Sequence, residues 1–127
     1  MRIGIIGVGF VGGATAEVLK PFHELYLYDK YKPPYNTEEN LESLAQNSEA
    51  VFISVPTPMQ KSGAIDYTNI HNSIQQLLNY VEKSKRDPKD LLVIIRSTAV
   101  SGTTDQLAQQ YPFRFAFNPE FLREKHA

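Results

Sequence analysis

The sequence predicts an α/β domain in which a single parallel sheet is covered by helices on both faces. Five short apolar runs alternate with stretches of helical pattern along the 127 residues, which is the β-α-β-α order of doubly wound folds. The runs are almost continuously apolar instead of alternating with polar residues, as strands buried on both faces are. Right-handed crossovers then lead us to predict the strand order 3-2-1-4-5.

The first apolar run is followed at once by a G-x-G-x-x-G turn that opens a helix. Each glycine of this turn has its own expected role: Gly7 allows the tight turn, Gly9 lets a pyrophosphate approach the backbone, and Gly12 lets the helix pack closely on the strand. The intervening Phe10 and Val11 begin the helix, whose free N–H groups favour phosphate. In this setting the turn predicts a dinucleotide site of the Rossmann type.

An acidic residue follows the second apolar run. Asp29 comes directly after Leu25–Tyr28, about twenty residues beyond the glycines, where a carboxylate would accept hydrogen bonds from the adenosine ribose. The same charge would repel a 2′-phosphate, so NAD is favoured over NADP. Lys30 and Lys32 could reach a cofactor phosphate, although solvated loop lysines are more common. Enzymes that use S-adenosylmethionine share this layout and are the main competing interpretation.

The remaining elements follow from apolar spacing and capping residues. Asp66 is expected to cap the longest helix, whose apolar residues recur at helical spacing on one face. His71 lies near that apolar stripe and could be a ligand or a base, although a surface or packed histidine is the more common case. Asn36 or Thr37 is expected to cap a short helix that runs through Asn47. The other expected bounds are Phe10–Leu19, Tyr67–Lys83 and Thr103–Gln110 for helices, and Ala50–Val55, Leu91–Ile95 and Phe113–Phe117 for later strands.

Polar residues, glycine or proline follow the carboxyl end of each predicted strand. Since the carboxyl ends of parallel strands share one edge, these tips should converge there. The tips are Gly7–Gly12, Asp29, Val55–Pro58, Ser97–Thr98 and Asn118–Glu120.

The amino-acid composition argues against several classes of function. The net charge of −1 gives no electrostatic case for nucleic acid or for an anionic membrane. No apolar stretch is long enough for a membrane span, and the glycine-rich N-terminus argues against a signal peptide. The absence of cysteine excludes disulfides and thiolate metal sites, and no metal is expected. We expect a cytoplasmic protein.

Four segments together resemble the N-terminal domain of the UDP-glucose/GDP-mannose dehydrogenase family of nucleotide-sugar dehydrogenases. They are IGIIGVGFVG, VFISVPTP, RSTAVSGTT and NPEFLRE, and they cover the chain from start to end. The resemblance implies an enzyme that oxidises the sugar C6 alcohol to the acid in two steps with two NAD. It assigns cofactor binding to Gly7, Gly9, Phe10, Val11, Gly12, Asp29, Lys30, Val55, Pro56, Thr57, Ser97, Thr98 and Glu124.

By the same resemblance, the catalytic residues are Thr98, Glu120 and Glu124. Thr98 would help to position the water, and the two glutamates would lie between nicotinamide and substrate. The substrate-binding set is Glu120, Phe121, Leu122 and Glu124. From the residues alone, two glutamates four apart share a helix face and could serve in acid–base work, or could simply stabilise a helix N-terminus.

This chain departs from the family pattern in three ways. Pro34 stands where many relatives carry a basic residue, so either Lys30 or Lys32 substitutes for it or the contact is missing. Lys125 stands where many relatives have Gly or Ser. The family's cysteine nucleophile lies in a later domain, and these residues contain none, so a thioester step cannot run.

The expected domain is therefore 1–127, a cofactor half without the substrate and C-terminal domains. It would bind NAD without completing catalysis, and it could self-associate through exposed apolar surface near Phe121 and Leu122. The alternative is a free-standing, non-catalytic NAD-binding or redox-sensing module. A different dehydrogenase with the same opening domain, such as a β-hydroxyacid type, is a further alternative, and the NPEFL-x-E segment argues against it.

Overall fold

Five strands and four helices alternate along the chain. The computed structural model describes residues 1–97 and 103–117, apart from the side chains at 10, 11, 104 and 117. The strands are β1 (Arg2–Ile6), β2 (Glu24–Tyr28), β3 (Ala50–Ile53), β4 (Leu92–Ile95) and β5 (Arg114–Phe117). The helices are α1 (Phe10–Leu19), α2 (Glu38–Asn47), α3 (Thr68–Lys83) and α4 (Thr103–Gln110), with a 3-10 turn at Pro88–Asp90.

All strand pairings are parallel, which confirms the doubly wound fold class. The predicted strand order 3-2-1-4-5 is wrong in one respect, because the observed order is β2-β1-β3-β4-β5. The third strand lies between β1 and β4, with Ile3 opposite Ala50, and β2 forms the edge of the sheet.

A glycine in the middle of β1 lets α2 pack closely over this strand. A Cβ added to Gly4 would lie 2.6 Å from Leu44 Cγ and 2.7 Å from Ser48 Oγ. The connection from β2 through α2 passes over β1 and delivers the chain to its far side. A side chain at position 4 would force Leu44 and Ser48 to move.

Helices cover both faces of the sheet, as predicted. Gly4 faces α2. Its neighbour Ile5 points to the opposite face of the sheet, which α1 covers, and a Cβ added to Gly12 of α1 would lie 3.4 Å from Ile5 Cγ2. The main core is on the α2 side, and its fully buried members come from α2, α3, α4 and the sheet: Leu44, Val51, Ile53, Ile70, Ile74, Leu77, Val81, Val93, Ile95 and Leu107. On the α1 side, Phe52, Leu92 and Ile94 are half-buried.

The predicted bounds agree closely with the elements. Thr37 is the N-cap of α2, whereas the N-cap position of α3 is Tyr67 and Asp66 lies one residue before it. Thr37 Oγ1 accepts a hydrogen bond from the Asn40 backbone N–H at 3.2 Å. Asp66 Oδ1 accepts one from the Thr68 backbone N–H at 2.9 Å, which satisfies a free donor at the start of α3. The third strand ends two residues earlier than predicted, which leaves Ser54 and Val55 in the loop at its tip.

Within the described part of the chain, no helix combines the length and the apolar character that a membrane span requires.

Candidate cofactor-binding site

The glycine loop between β1 and α1 has the geometry that its sequence predicts. Gly7 has a positive φ of 95°, a conformation that other residues rarely adopt. A Cβ on Gly12 would lie 1.7 Å from the Gly7 carbonyl oxygen, so the helix can approach the loop only without a side chain there. A Cβ on Gly9 would meet nothing within 4 Å. The space above Gly9, at the N-terminus of α1, is therefore open to a ligand.

Asp29 at the tip of β2 is held against this loop. Its Oδ2 accepts a hydrogen bond from the Val8 backbone N–H at 2.8 Å, and its Oδ1 accepts one from the Tyr31 backbone N–H at 2.9 Å. The side chain is half-buried. Since an ionised carboxylate offers about four lone-pair sites, both oxygens can still accept further hydrogen bonds. The predicted ribose acid and the predicted phosphate loop are thus directly joined.

A lysine also reaches the glycine loop. Lys32 Nζ donates a hydrogen bond to the Val8 carbonyl oxygen at 2.9 Å. Lys30 instead places its Nζ 5.6 Å from the centroid of the Tyr31 ring. Of the two lysines considered from the sequence, Lys32 therefore carries its charge to the predicted phosphate position.

A cleft at the strand tips brings together five of the predicted cofactor residues. It lies between the ends of β1, β2 and β3 and the first half of α3, and we call it the strand-tip cleft. Its walls are formed by Ile6, Gly7, Tyr28, Asp29, Lys30, Tyr31, Val55, Pro56, Asn69, Asn72, Ser73 and Gln76. Burial raises the pKa of Tyr28 above its usual value, with a further contribution from the Asp29 charge, so this phenol stays protonated.

The tip of β4 is connected to that of β3 by Ser97. This buried side chain donates from Oγ to the Val55 carbonyl oxygen at 2.7 Å, with the Ile53 carbonyl oxygen at 3.3 Å. Asn69 Nδ2 donates to the Pro56 carbonyl oxygen at 3.0 Å and ties α3 to the same loop. The hydroxyl proton of Ser97 is thus directed into the protein, and Thr57 is half-buried in the loop beyond Pro56.

Several predicted site residues lie outside the described residues. These are Thr98, Glu120, Phe121, Leu122 and Glu124, and they include all three predicted catalytic positions. The backbone of Phe10 and Val11 forms the first turn of α1, but their side chains are also outside the description.

Sequence reasoning missed the contribution of α3 to the site. Asn69, Asn72, Ser73 and Gln76 line the cleft at spacings of three, four and seven residues. The apolar residues of this helix were predicted from their helical spacing. The same periodicity would have shown that these polar residues lie together on an adjacent face. His71 is packed as expected, with its Nδ1 at 2.9 Å from Tyr111 Oη.

Comparison with known proteins identifies the family. The family model described as UDP-glucose/GDP-mannose dehydrogenase family, NAD binding domain, matches residues 21–127. This chain belongs to that family. The matching part is the NAD-binding domain of these nucleotide-sugar dehydrogenases, so NAD is the cofactor of this domain.

Individual members of the UDP-glucose/GDP-mannose dehydrogenase family are similar to this chain along most of its length. UDP-glucose 6-dehydrogenase of Rickettsia felis is 32% identical over 103 residues, which are 77% of this chain and 20% of that protein. GDP-mannose 6-dehydrogenase of Pseudomonas aeruginosa is 29% identical over 169 aligned positions, covering 100% of this chain and 38% of that protein. The chain thus spans about a fifth of the length of the Rickettsia relative.

A solved structure shares the fold. The UDP-glucose dehydrogenase of Pyrobaculum islandicum superposes with a TM-score of 0.74 and 22% identity, over 94% of this chain and 36% of that one. At this identity the likeness concerns the fold of the domain.

The residues of the site fit the cofactor of this family. The backbone at Gly9 faces open space, Asp29 keeps acceptor capacity, and Lys32 supplies a positive charge next to the loop. A dinucleotide needs these three features for its pyrophosphate and its adenosine ribose.

Proposed function

We propose that this chain binds NAD at the carboxyl edge of its sheet as the cofactor half of a nucleotide-sugar 6-dehydrogenase. The observation that carries the proposal is the 2.8 Å hydrogen bond between Asp29 and the Val8 backbone N–H. It fixes the ribose-binding acid and the phosphate-binding loop as one unit, which is the arrangement that a dinucleotide requires.

Each part of the site has a separate task in binding. The N–H groups at the start of α1 would hold the pyrophosphate, and Lys32 would balance its charge. Asp29 would accept hydrogen bonds from the adenosine ribose and would repel a 2′-phosphate. Val55 and Pro56 would give the cofactor an apolar support at the tip of β3.

The proposed reaction is the oxidation of the C6 alcohol of a nucleotide sugar to a carboxylate. Bound NAD would supply a hydride acceptor. The proposed catalytic roles of Thr98, Glu120 and Glu124 rest on the resemblance of their motifs. Because the 127 residues contain no cysteine, we propose that they bind NAD but do not complete this oxidation by themselves.

Calorimetry of the 127-residue chain tests the binding proposal. NAD should bind saturably, and NADP and S-adenosylmethionine should bind more weakly or not at all. Asp29→Ala should weaken NAD binding by about 1–3 kcal/mol, because ribose hydroxyls lose a charged acceptor. Asp105→Ala, which removes an exposed carboxylate on α4, is the matched control and should leave the affinity unchanged.

Two outcomes would contradict this assignment. Equal binding of NAD and S-adenosylmethionine would remove the cofactor assignment, and unchanged affinity in Asp29→Ala would remove Asp29 from the site. Reduction of NAD by this chain in the presence of UDP-glucose or GDP-mannose would contradict the proposal that it does not act alone.

We further propose that the domain works in the cytoplasm and self-associates. The apolar run near the N-terminus, Ile3–Ile6, forms an inner strand of the sheet instead of an exposed segment. Half-buried Phe52, Leu92 and Ile94 on the α1 face add apolar surface to that expected near Phe121 and Leu122. Sedimentation at rising concentration should show oligomers, and a strictly monomeric chain would contradict this.

A further inference from the structure

The first half of α3 presents a polar stripe to the strand-tip cleft. Asn69, Asn72, Ser73 and Gln76 line the cleft, whereas Ile70, Ile74 and Leu77, one position further along the helix, are fully buried in the core. The apolar stripe packs α3 against the sheet. The polar stripe beside it is the part of α3 that faces the strand-tip cleft.

Two carboxamides of this stripe have free hydrogen-bonding capacity. Asn69 is used to tie α3 to Pro56. Within residues 1–97 and 103–117, the side chains of Asn72 and Gln76 make no hydrogen bond to another group. Gln75 and Asn79 are exposed like Asn72 but do not line the cleft, and they bond to each other at 3.1 Å.

An aromatic side chain belongs to the same cleft. Tyr31 is 76% exposed, and the hydrogen bond from its backbone N–H to Asp29 holds its backbone beside the ribose-binding acid. Lys30 Nζ lies 5.6 Å from the centroid of its ring. Val55 and Pro56 supply apolar surface in the cleft. A planar ring with polar edges, bound next to Asp29, could contact the Tyr31 ring, the apolar surface of Val55 and Pro56, and the two carboxamides of α3.

The strand-tip cleft has a volume of about 50 Å³. A planar ring that enters it would place one edge against the carboxamides of α3. A carboxamide has an acceptor oxygen next to a donor NH₂ group, so it can form two hydrogen bonds with one edge of such a ring.

We propose that the polar stripe of α3 is a purine-reading subsite, in which Asn72 and Gln76 recognise adenine through its 6-amino group while Tyr31 stacks on the ring. The inference rests on the proposed binding of NAD and adds to it a selection for the base. A carboxamide oxygen accepts from the amino group and its NH₂ donates to the adjacent ring nitrogen, a pairing that a base without this edge cannot make.

The test compares NAD with nicotinamide 1,N6-ethenoadenine dinucleotide, in which an etheno bridge caps that edge of the base. Both are titrated into the full chain by calorimetry. Wild type should bind NAD about tenfold or more tightly than the etheno analogue. Asn72→Ala/Gln76→Ala should lower the affinity for NAD to about that of the analogue and leave the analogue within about twofold.

Matched variants separate edge recognition from folding and from stacking. Gln75→Ala/Asn79→Ala removes the same two residue types from positions of α3 that do not line the cleft and should keep the full discrimination. Tyr31→Ala should weaken both ligands by a similar factor, because stacking does not depend on the capped edge. Circular dichroism of each variant confirms that the helix content is retained.

Each result decides the proposal. Equal binding of the two ligands by wild type, or discrimination that survives Asn72→Ala/Gln76→Ala, overturns the subsite but leaves NAD binding intact. If wild type binds neither ligand, the proposed function itself fails and the subsite fails with it.

Discussion

At the scale of single residues, Asp29 organises the site through both carboxylate oxygens. One oxygen holds the glycine loop through Val8, and the other holds the start of the next loop through Tyr31. The carboxylate is therefore positioned before any ligand arrives. Preorganisation of this kind reduces the conformational entropy that binding would otherwise cost.

The structure changes the expectation of which lysine lies next to the cofactor phosphates. The resemblance placed Lys30 in the site, whereas Lys32 Nζ contacts the loop at the Val8 carbonyl oxygen. Lys32→Ala should lower the affinity for NAD by about three- to tenfold, because a charge next to the pyrophosphate is lost. Calorimetry at low and high salt checks this, since the loss should shrink as salt screens the charge.

Lys30→Ala is the matched control for this prediction. Its ammonium group lies over the Tyr31 ring, so its removal should change the affinity less. A larger loss in Lys30→Ala than in Lys32→Ala would contradict the assignment.

At the scale of elements, the glycine loop separates a ligand-facing position from a packing position. Gly9→Val should abolish NAD binding at an unchanged melting temperature, because the new side chain enters open space above the loop. Gly12→Ala should instead lower the free energy of unfolding by more than about 2 kcal/mol, since its Cβ would meet the Gly7 carbonyl oxygen. Thermal melts and titrations of both variants measure the two effects.

Ala14→Val serves as the control for the first variant. Ala14 is exposed on the same helix and lines neither the strand-tip cleft nor the opening at Gly9, so NAD binding should persist. If Gly9→Val bound NAD normally, the cofactor would not lie over this loop.

The start of α3 gives a prediction on pH. Hydrogen bonds from the Thr68 side chain and backbone lower the pKa of Asp66 from its ordinary value of 3.8. A lowered pKa means stability that is present above the unfolded value and lost as pH falls through the folded value. Asp66→Ala should therefore melt below wild type at neutral pH, and the difference should narrow below about pH 4. A difference independent of pH would contradict a role for the charged cap.

Local sequence predicted the elements well and their arrangement less well. The glycine turn, the caps at Thr37 and Asp66 and the apolar stripe of α3 each depend on a few neighbouring residues, so spacing sufficed to predict them. Strand order depends on which surface α2 crosses, and the close contact there, between Gly4 and Leu44, joins residues forty positions apart. Lys32 and the polar stripe reach the site only through the folded chain, so their role could not be assigned from spacing alone.

At the scale of the whole molecule, the observed strand order moves the topological switch point to the junction of β1 and β3. Chain connections leave β1 toward α1 on one face and leave β3 toward α3 on the other. In doubly wound sheets a crevice opens above such a junction. The glycine loop and Val55–Pro56 border this point, and the strand-tip cleft lies beside it. The corrected order therefore still leaves the glycine loop and the strand-tip cleft at the carboxyl edge of the sheet, while Gly9 and Lys32 line a second opening on the other side of the loop.

The most direct test of this account is an NMR titration of the isotopically labelled chain with NAD, followed through backbone amide shifts. The account predicts shifts concentrated at Gly7–Gly13, Asp29–Lys32 and Asn69–Gln76, with little change at the opposite edge, such as Arg86–Asp90. Shifts confined to that opposite edge, or no saturable shift at millimolar NAD, would contradict a cofactor site at the strand tips.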